Sequence, residues 1–158
     1  MNYNIIAKSY NKLYSEEQKK KFTIIRKLIK IKKGDKLLDI GAGTGIAREY
    51  FQECKYTGIE PSEEMIKQSK EKIIKGKAEK LPFKDKTFDI ILSVTAIHNF
   101  DDYKKSIKEM KRVIKPKGKI VITILKKSSK FEEIRKELIK NFKLEEIEEE
   151  KDVIFYNK

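Results

Sequence analysis

Lys36-Leu37-Leu38-Asp39-Ile40-Gly41-Ala42-Gly43-Thr44-Gly45-Ile46 is the stretch from which the rest of the chain can be placed. Leu37, Leu38 and Ile40 make the apolar run of a strand covered on both faces. Glycines then fall at alternate positions, where a tight turn and the close approach of a ligand to bare backbone need residues without a Cβ. A buried strand running into a glycine turn and then a helix start is the layout of a cofactor site.

Reading downstream, residues 46–54 form a short helix and residues 56–59 a strand that ends at Glu60-Pro61. Glu60 lies twenty-one residues beyond Asp39, which puts a carboxylate at the end of the second strand, within reach of both hydroxyls of a ribose. Alone, such an acid could simply favour the start of the next helix. Beside the glycine turn, the ribose reading is the stronger one. Ser62 caps a helix to about residue 72, with Met65, Ile66 and Ile73 inward, and a third strand follows at 73–77.

The loop Ala78-Glu79-Lys80-Leu81-Pro82-Phe83 leads to a fourth buried strand over residues 88–94. Asp101 and Asp102 open a helix whose apolar residues Tyr103, Ile107, Met110 and Ile114 recur three or four apart. Lys115-Pro116-Lys117-Gly118 stops it, and residues 119–125 form the fifth strand. Ser129 starts a last helix through Phe131, Ile134, Leu138 and Phe142. Segments 144–149 and 153–156 are joined by three residues, too few for a parallel crossover, so they pair antiparallel.

Upstream, Ser15 and Gln18 fit a capping box and predict a helix start. Phe22, Ile25, Leu28 and Ile29 then recur at helical spacing, and Gly34 ends the helix. Tyr3, Tyr10 and Tyr14 serve either as packing anchors or as a lid over a ligand.

At 158 residues the chain is read as one domain, with residues 1–33 as an N-terminal lid segment and helix and residues 34–158 as the cofactor-binding core. The single cysteine, Cys54, excludes an intrachain disulfide framework and a cysteine-rich zinc site, and points to the cytoplasm. No apolar run is long enough to span a membrane. The net charge of +13 has two readings: an anionic partner such as RNA, or the ion-pair-rich surface of a heat-adapted protein, which the charged fraction of 40% resembles. Residues 131–158 carry six Lys and Arg against nine Asp and Glu, so the positive excess lies in residues 1–130.

With these landmarks in order, residues 10–156 resemble a class I S-adenosylmethionine-dependent methyltransferase of type 11, similar to the ubiquinone and menaquinone biosynthesis methyltransferases. The resemblance rests on Leu38 to Gly45, on Glu60, on Ala78 to Phe83, and on Phe88 to Ser93 with Ile114 to Gly118. It implies an α/β, three-layer Rossmann-like fold, with a seven-stranded, mostly parallel sheet and a C-terminal antiparallel hairpin. It implies S-adenosylmethionine as cofactor, S-adenosylhomocysteine as product, and no metal.

By the same resemblance, Gly41, Ala42, Gly43 and Gly45 pass along the methionine part, with Asp39 near its ammonium and Tyr10 contributing from the N-terminal segment. Glu60 takes the ribose, Pro61 and Met65 flank the adenine, Ala78 and Glu79 border its edge, and Ser93 lines the methionine side. One position departs from the pattern. Lys77, a donor only, stands where many relatives have an acid that accepts from the adenine amino group. A nicotinamide-dependent dehydrogenase is disfavoured because its pattern wants glycine at the place of Ile46.

A methyl sulfonium is already electrophilic, so catalysis is chiefly positioning, with a general base optional. His98, just beyond the fourth strand, is the candidate base; equally, it could be a packed residue with both nitrogens satisfied. Ser93-Val94-Thr95-Ala96 lacks the Asn- or Asp-Pro-Pro pattern of enzymes acting on planar amino groups. A small-molecule acceptor is slightly favoured over tRNA or rRNA. A noncatalytic cofactor-binding or RNA-binding partner subunit is the reading from another class.

Overall fold

The computed structural model describes residues 12–158 with their side chains and residues 3–11 as backbone alone. Seven strands form one sheet: β1 (Lys36–Ile40), β2 (Lys55–Glu60), β3 (Ile73–Lys75), β4 (Phe88–Val94), β5 (Ile114–Leu125), β6 (Glu145–Glu148) and β7 (Asp152–Tyr156). They lie in the order β3-β2-β1-β4-β5-β7-β6. The first five pair in parallel, and β7 inserts antiparallel between β5 and β6. This is the fold expected from the sequence. The helices are α1 (Tyr3–Leu28), α2 (Glu63–Lys67), α3 (Tyr103–Val113) and α4 (Phe131–Asn141), with short 3-10 turns at Ile46–Tyr50 and Ile97–Asn99.

Successive side chains on a strand point to opposite faces, so the central strands feed two apolar layers. Leu37 of β1 and Ile90, Leu92 and Val94 of β4 pack with Phe22 and Ile25 of α1. Leu38 and Ile40 of β1 and Ile91 of β4 pack on the other face with Ile107 and Met110 of α3 and Ile134 and Leu138 of α4. Burying each such side chain contributes roughly 1.5–3 kcal/mol, which is why these strands read so clearly as apolar runs. The same alternation turns Asp39, two places beyond Leu37, toward the α1 face. Among the described residues no helix is long and apolar enough to cross a membrane.

Several expected boundaries move. α1 starts at Tyr3, not at Ser15, because no Gly or Pro interrupts residues 3–14 and Gln18 is buried against the sheet rather than capping an end. The helix closes at Leu28, and Gly34 instead serves the turn into β1, its N–H donating to Glu53 O at 2.8 Å. α2 stops at Lys67 instead of running to residue 72; no apolar residue follows before Ile73, and Ser69 Oγ accepts from Glu71 N in a local turn. The expected helix over 46–54 is a 3-10 turn over Ile46–Tyr50 only.

β5 begins directly at Ile114, and Lys115 to Gly118 form an irregularity in its pairing with β4 rather than a stop, a place where a strand tolerates Pro116. α4 starts at Phe131, and Ser128 rather than Ser129 holds its approach by accepting from Lys130 N.

Candidate active site

The glycine turn leaves the carboxyl end of β1, and a hollow lies on either side of it. One, of about 240 Å³, is lined by Asp39, Gly41, Ala42, Gly43, Thr44 and Met65 below and by Tyr14, Gln18 and Phe22 of α1 above. The other, of about 220 Å³, is lined by Pro61, Lys77, Ala78, Glu79, Phe100 and Asp101. Gly41 borders both, so a ligand lying across the turn can occupy both at once.

Gly41 and Gly43 hold φ of 74° and 59°, a region costly for residues with a Cβ. Their surroundings differ. A Cβ on Gly41 would lie 2.6 Å from Ala96 Cβ, so this glycine lets the turn pack under the β4 loop. A Cβ on Gly43 would meet only Met65 Cε at 3.5 Å, so bare backbone here faces open space.

Asp39 is 3% exposed and accepts a 2.5 Å hydrogen bond from the Tyr56 hydroxyl. Gly58 makes that reach available: a Cβ there would stand 3.0 Å from the Tyr56 oxygen. Burial pushes the Asp39 carboxyl up to about 7, against the lowering effect of Tyr56 and with a further raise from Glu60. Burial likewise pushes the Tyr56 hydroxyl well above its ordinary range.

Glu60 ties the turn to the next helix. Its Oε1 accepts from Gly43 N at 3.0 Å and its Oε2 from Ser62 N at 2.9 Å. Each oxygen keeps a further lone pair, so the carboxylate can still accept hydroxyls. Ser62 Oγ in turn caps α2 through Met65 N. In the second hollow, Lys77 Nζ is paired with Asp101 at 3.0 Å, and Glu79 Oε1 accepts from Asp102 N at 3.2 Å. The Leu81 to Phe83 segment that follows is held by Arg112, which donates to the carbonyls of both residues.

Of the residues singled out from the sequence, Asp39, Gly41, Ala42, Gly43 and Met65 meet in the first hollow and Pro61, Ala78 and Glu79 in the second. Glu60 is tied to the first hollow through its hydrogen bond from Gly43 N. Glu60, Gly45, Ser93 and His98 border neither hollow themselves. Strand alternation explains Ser93: Val94 takes the α1 side, and Ser93 is buried with an unpartnered Oγ. The side chain of Tyr10 lies outside the described residues. Cys54 is buried, and burial pushes its thiol up to about 11, an inert state.

Two features were missed from the sequence. Gln18 is 5% exposed, lines the first hollow, and its Nε2 has no partner. One turn further along α1, Lys21 forms an ion pair with Asp152 at 3.2 Å and donates to Thr95 Oγ1 at 2.9 Å. Thr95, at φ 53°, and Thr123 both donate to Asp152 Oδ2. The available signal was periodicity: Gln18 and Lys21 fall on the stripe of Phe22, Ile25 and Ile29. His98 follows the Thr95 turn, half-buried with Nδ1 unpartnered. Burial lowers its pKa below the ordinary value, Asp152 opposes that, and Lys21 and Lys130 add to it.

The parallel sheet closed by an inserted antiparallel strand, with its ligand hollows at the glycine turn, defines the chain as an α/β protein of the Rossmann-like methyltransferase type. The profile of the methyltransferase domain family matches residues 38–122, more than half of the chain, and the chain belongs to this family. An uncharacterized protein of Methanocaldococcus jannaschii is 36% identical over 128 residues, covering 77% of this chain and 49% of the relative. The demethylmenaquinone methyltransferase of Staphylococcus aureus is 35% identical over 133 residues, covering 73% and 55%. The chain thus spans about half the length of the curated relatives it matches. A SAM-dependent methyltransferase of Aquifex aeolicus shares the fold, with a TM-score of 0.66 at 22% identity, covering 90% of this chain and 87% of its own.

Proposed function

We propose that the protein transfers a methyl group from S-adenosylmethionine to a small-molecule acceptor by in-line displacement. The observation that carries this reading is the pair of hollows meeting at Gly41, with the Glu60 carboxylate hydrogen-bonded to Gly43 on the wall of the first. The residues fit such a ligand. Gly43 offers open backbone, Gln18 an unpartnered amide, and Asp39 a buried carboxylate suited to an ammonium. When bound, the cofactor supplies an electrophilic methyl carbon on a sulfonium.

The protein's part is then to orient and to exclude water. Glu60 holds the ribose hydroxyls, Gly41 to Gly43 carry the chain between sugar and amino-acid end, and Pro61, Ala78 and Glu79 border the base. Asp101, which lines the base hollow and pairs with Lys77, brings a carboxylate to that hollow although residue 77 itself is a lysine. Residues 1–33 act as the lid on a single domain: Tyr14, Gln18 and Phe22 already roof the first hollow. The S. aureus relative is named for a small-molecule acceptor, which favours a small acceptor over a folded RNA.

Calorimetric titration with S-adenosylhomocysteine, followed by transfer of a labelled methyl group to a small-metabolite extract and to total RNA, tests the proposal. Binding with label in the metabolite fraction is expected. Absence of binding overturns the cofactor assignment, and label confined to RNA overturns the acceptor class.

A further inference from the structure

We infer that the hollow under α1 contains a carboxylate-binding subsite whose donor is the side-chain amide of Gln18. The inference rests on the reading of this site as the methyl donor's, and it concerns which residue receives the carboxylate at the donor's amino-acid end.

Gln18 is 5% exposed, and its Nε2 has no hydrogen-bond partner. A buried amide N–H left unsatisfied is costly, so a ligand acceptor placed there gains more than a hydrogen bond exchanged with water would. Gln18 lines the same hollow as Asp39. A buried carboxylate on one wall repels a simple anion but accepts an ammonium. An amino-acid end carries both charges on neighbouring atoms, so its ammonium can face Asp39 while its carboxylate faces an amide donor. Among the described residues that line the hollow there is no Lys, Arg or His, so neutral donors must meet the carboxylate.

The nearby cation is already committed. Lys21, three residues along the same helix, is 2% exposed and held by Asp152 and Thr95. Residues three apart share a helix face, so this contact fixes the rotation of α1 and keeps Gln18 turned toward the hollow. Either orientation of the amide is reached by rotation of the side-chain end, so a donor can be presented to the ligand without movement of the helix.

The test compares S-adenosylhomocysteine with its decarboxylated analogue by calorimetry, for the parent, Gln18→Leu and Gln18→Glu. The parent should prefer the carboxylate form by about tenfold or more. Gln18→Leu should bring the two affinities together, and Gln18→Glu should reverse the preference, since two carboxylates repel. Thermal unfolding without ligand adds a second readout: Gln18→Leu should melt no lower than the parent, because the unpartnered amide is gone. A parent indifferent to the carboxylate overturns the subsite, and so does an unchanged preference in Gln18→Leu. A parent that binds neither compound overturns the cofactor reading and the subsite with it.

Discussion

Lys21 Nζ lies 3.2 Å from Asp152 Oδ1, and neither side chain is more than 3% exposed. The pair joins α1 to the start of β7, and through Thr95 and Thr123 it reaches the ends of β4 and β5. A buried ion pair need not add net stability, but removing one member leaves the other charge stranded.

Lys21→Met should therefore lower the unfolding free energy by about 3–5 kcal/mol, measured by urea denaturation. Adding Asp152→Asn removes the stranded charge and should recover part of the loss. A single variant within about 1 kcal/mol of the parent would show that water reaches Asp152 once the lysine is gone.

Asp39 gives a pH dependence with a definite sign. Its folded carboxyl is raised from 3.8 to about 7. Its contribution to stability is thus fully present below pH 3.8 and is lost as pH rises through about 7. Asp39→Asn, which cannot ionise, should gain on the parent by about 3 kcal/mol between pH 5 and pH 8, at roughly 1.4 kcal/mol per pH unit over the titrating range. Parallel stability profiles for the two proteins would mean that the buried carboxyl titrates at its ordinary value.

Glu60→Ala should weaken binding of S-adenosylhomocysteine by about 1–3 kcal/mol through lost hydrogen bonds to the ribose. Glu60→Gln should bind poorly as well, because its NH₂ would face either Gly43 N–H or Ser62 N–H, donor against donor. Parent-like affinity in both variants would leave Glu60 as a brace for the turn only.

The two glycines of the turn should separate on substitution. Gly41→Ala introduces a contact at 2.6 Å with Ala96 Cβ as well as an unfavourable φ, and should destabilise the unbound protein. Ala96→Gly in the same chain relieves the contact and should restore part of the stability. Gly43→Arg has no such clash, and should keep more of the melting temperature while abolishing cofactor binding. Equal melting temperatures for Gly41→Ala with and without Ala96→Gly would refute the packing argument.

If His98 is a general base, His98→Asn should reduce kcat by about 100-fold or more while leaving cofactor affinity near the parent's. Because burial lowers its pKa, the parent's kcat should level off below the pH of an ordinary histidine titration. Unchanged kcat would assign His98 to packing, and catalysis to positioning alone.

The parts of the fold that could be read from sequence are those fixed by local pattern. β4 is legible from Phe88 to Val94 because both of its faces are buried, and Ser62 is legible as a cap because a cap acts within three residues; Asp101 and Asp102 together mark the start of α3, and the structure makes Asp102 its cap. The long extension of α1 was missed because a capping box states only that a helix can start there. Lys115 to Gly118 looked like a terminator, since tolerance of Pro116 in a strand depends on the irregular pairing with β4. The glycine turn and Glu60 were legible because their spacing follows from one strand-helix-strand unit.

The roof of the site was not. Lys21 follows Lys19 and Lys20 and looks like part of a solvated face; only its partner on β7 shows why it is buried. Gln18 reads from sequence as a helix-start residue, and its burial appears only once α1 lies on the sheet. Helical spacing puts both residues on the buried stripe, but nothing short-range names the partners that they meet there.

The insertion of β7 beside β5 also has a consequence in time. Asp152 is synthesised about 130 residues after Lys21, which at about 5–20 residues per second is a delay of roughly 7–26 s. Throughout that interval Lys21 lacks the Asp152 carboxylate, so the ion pair that ties α1 to β7 cannot form. The tie that fixes the roofing helix is therefore a long-range contact that waits for β7 to be made.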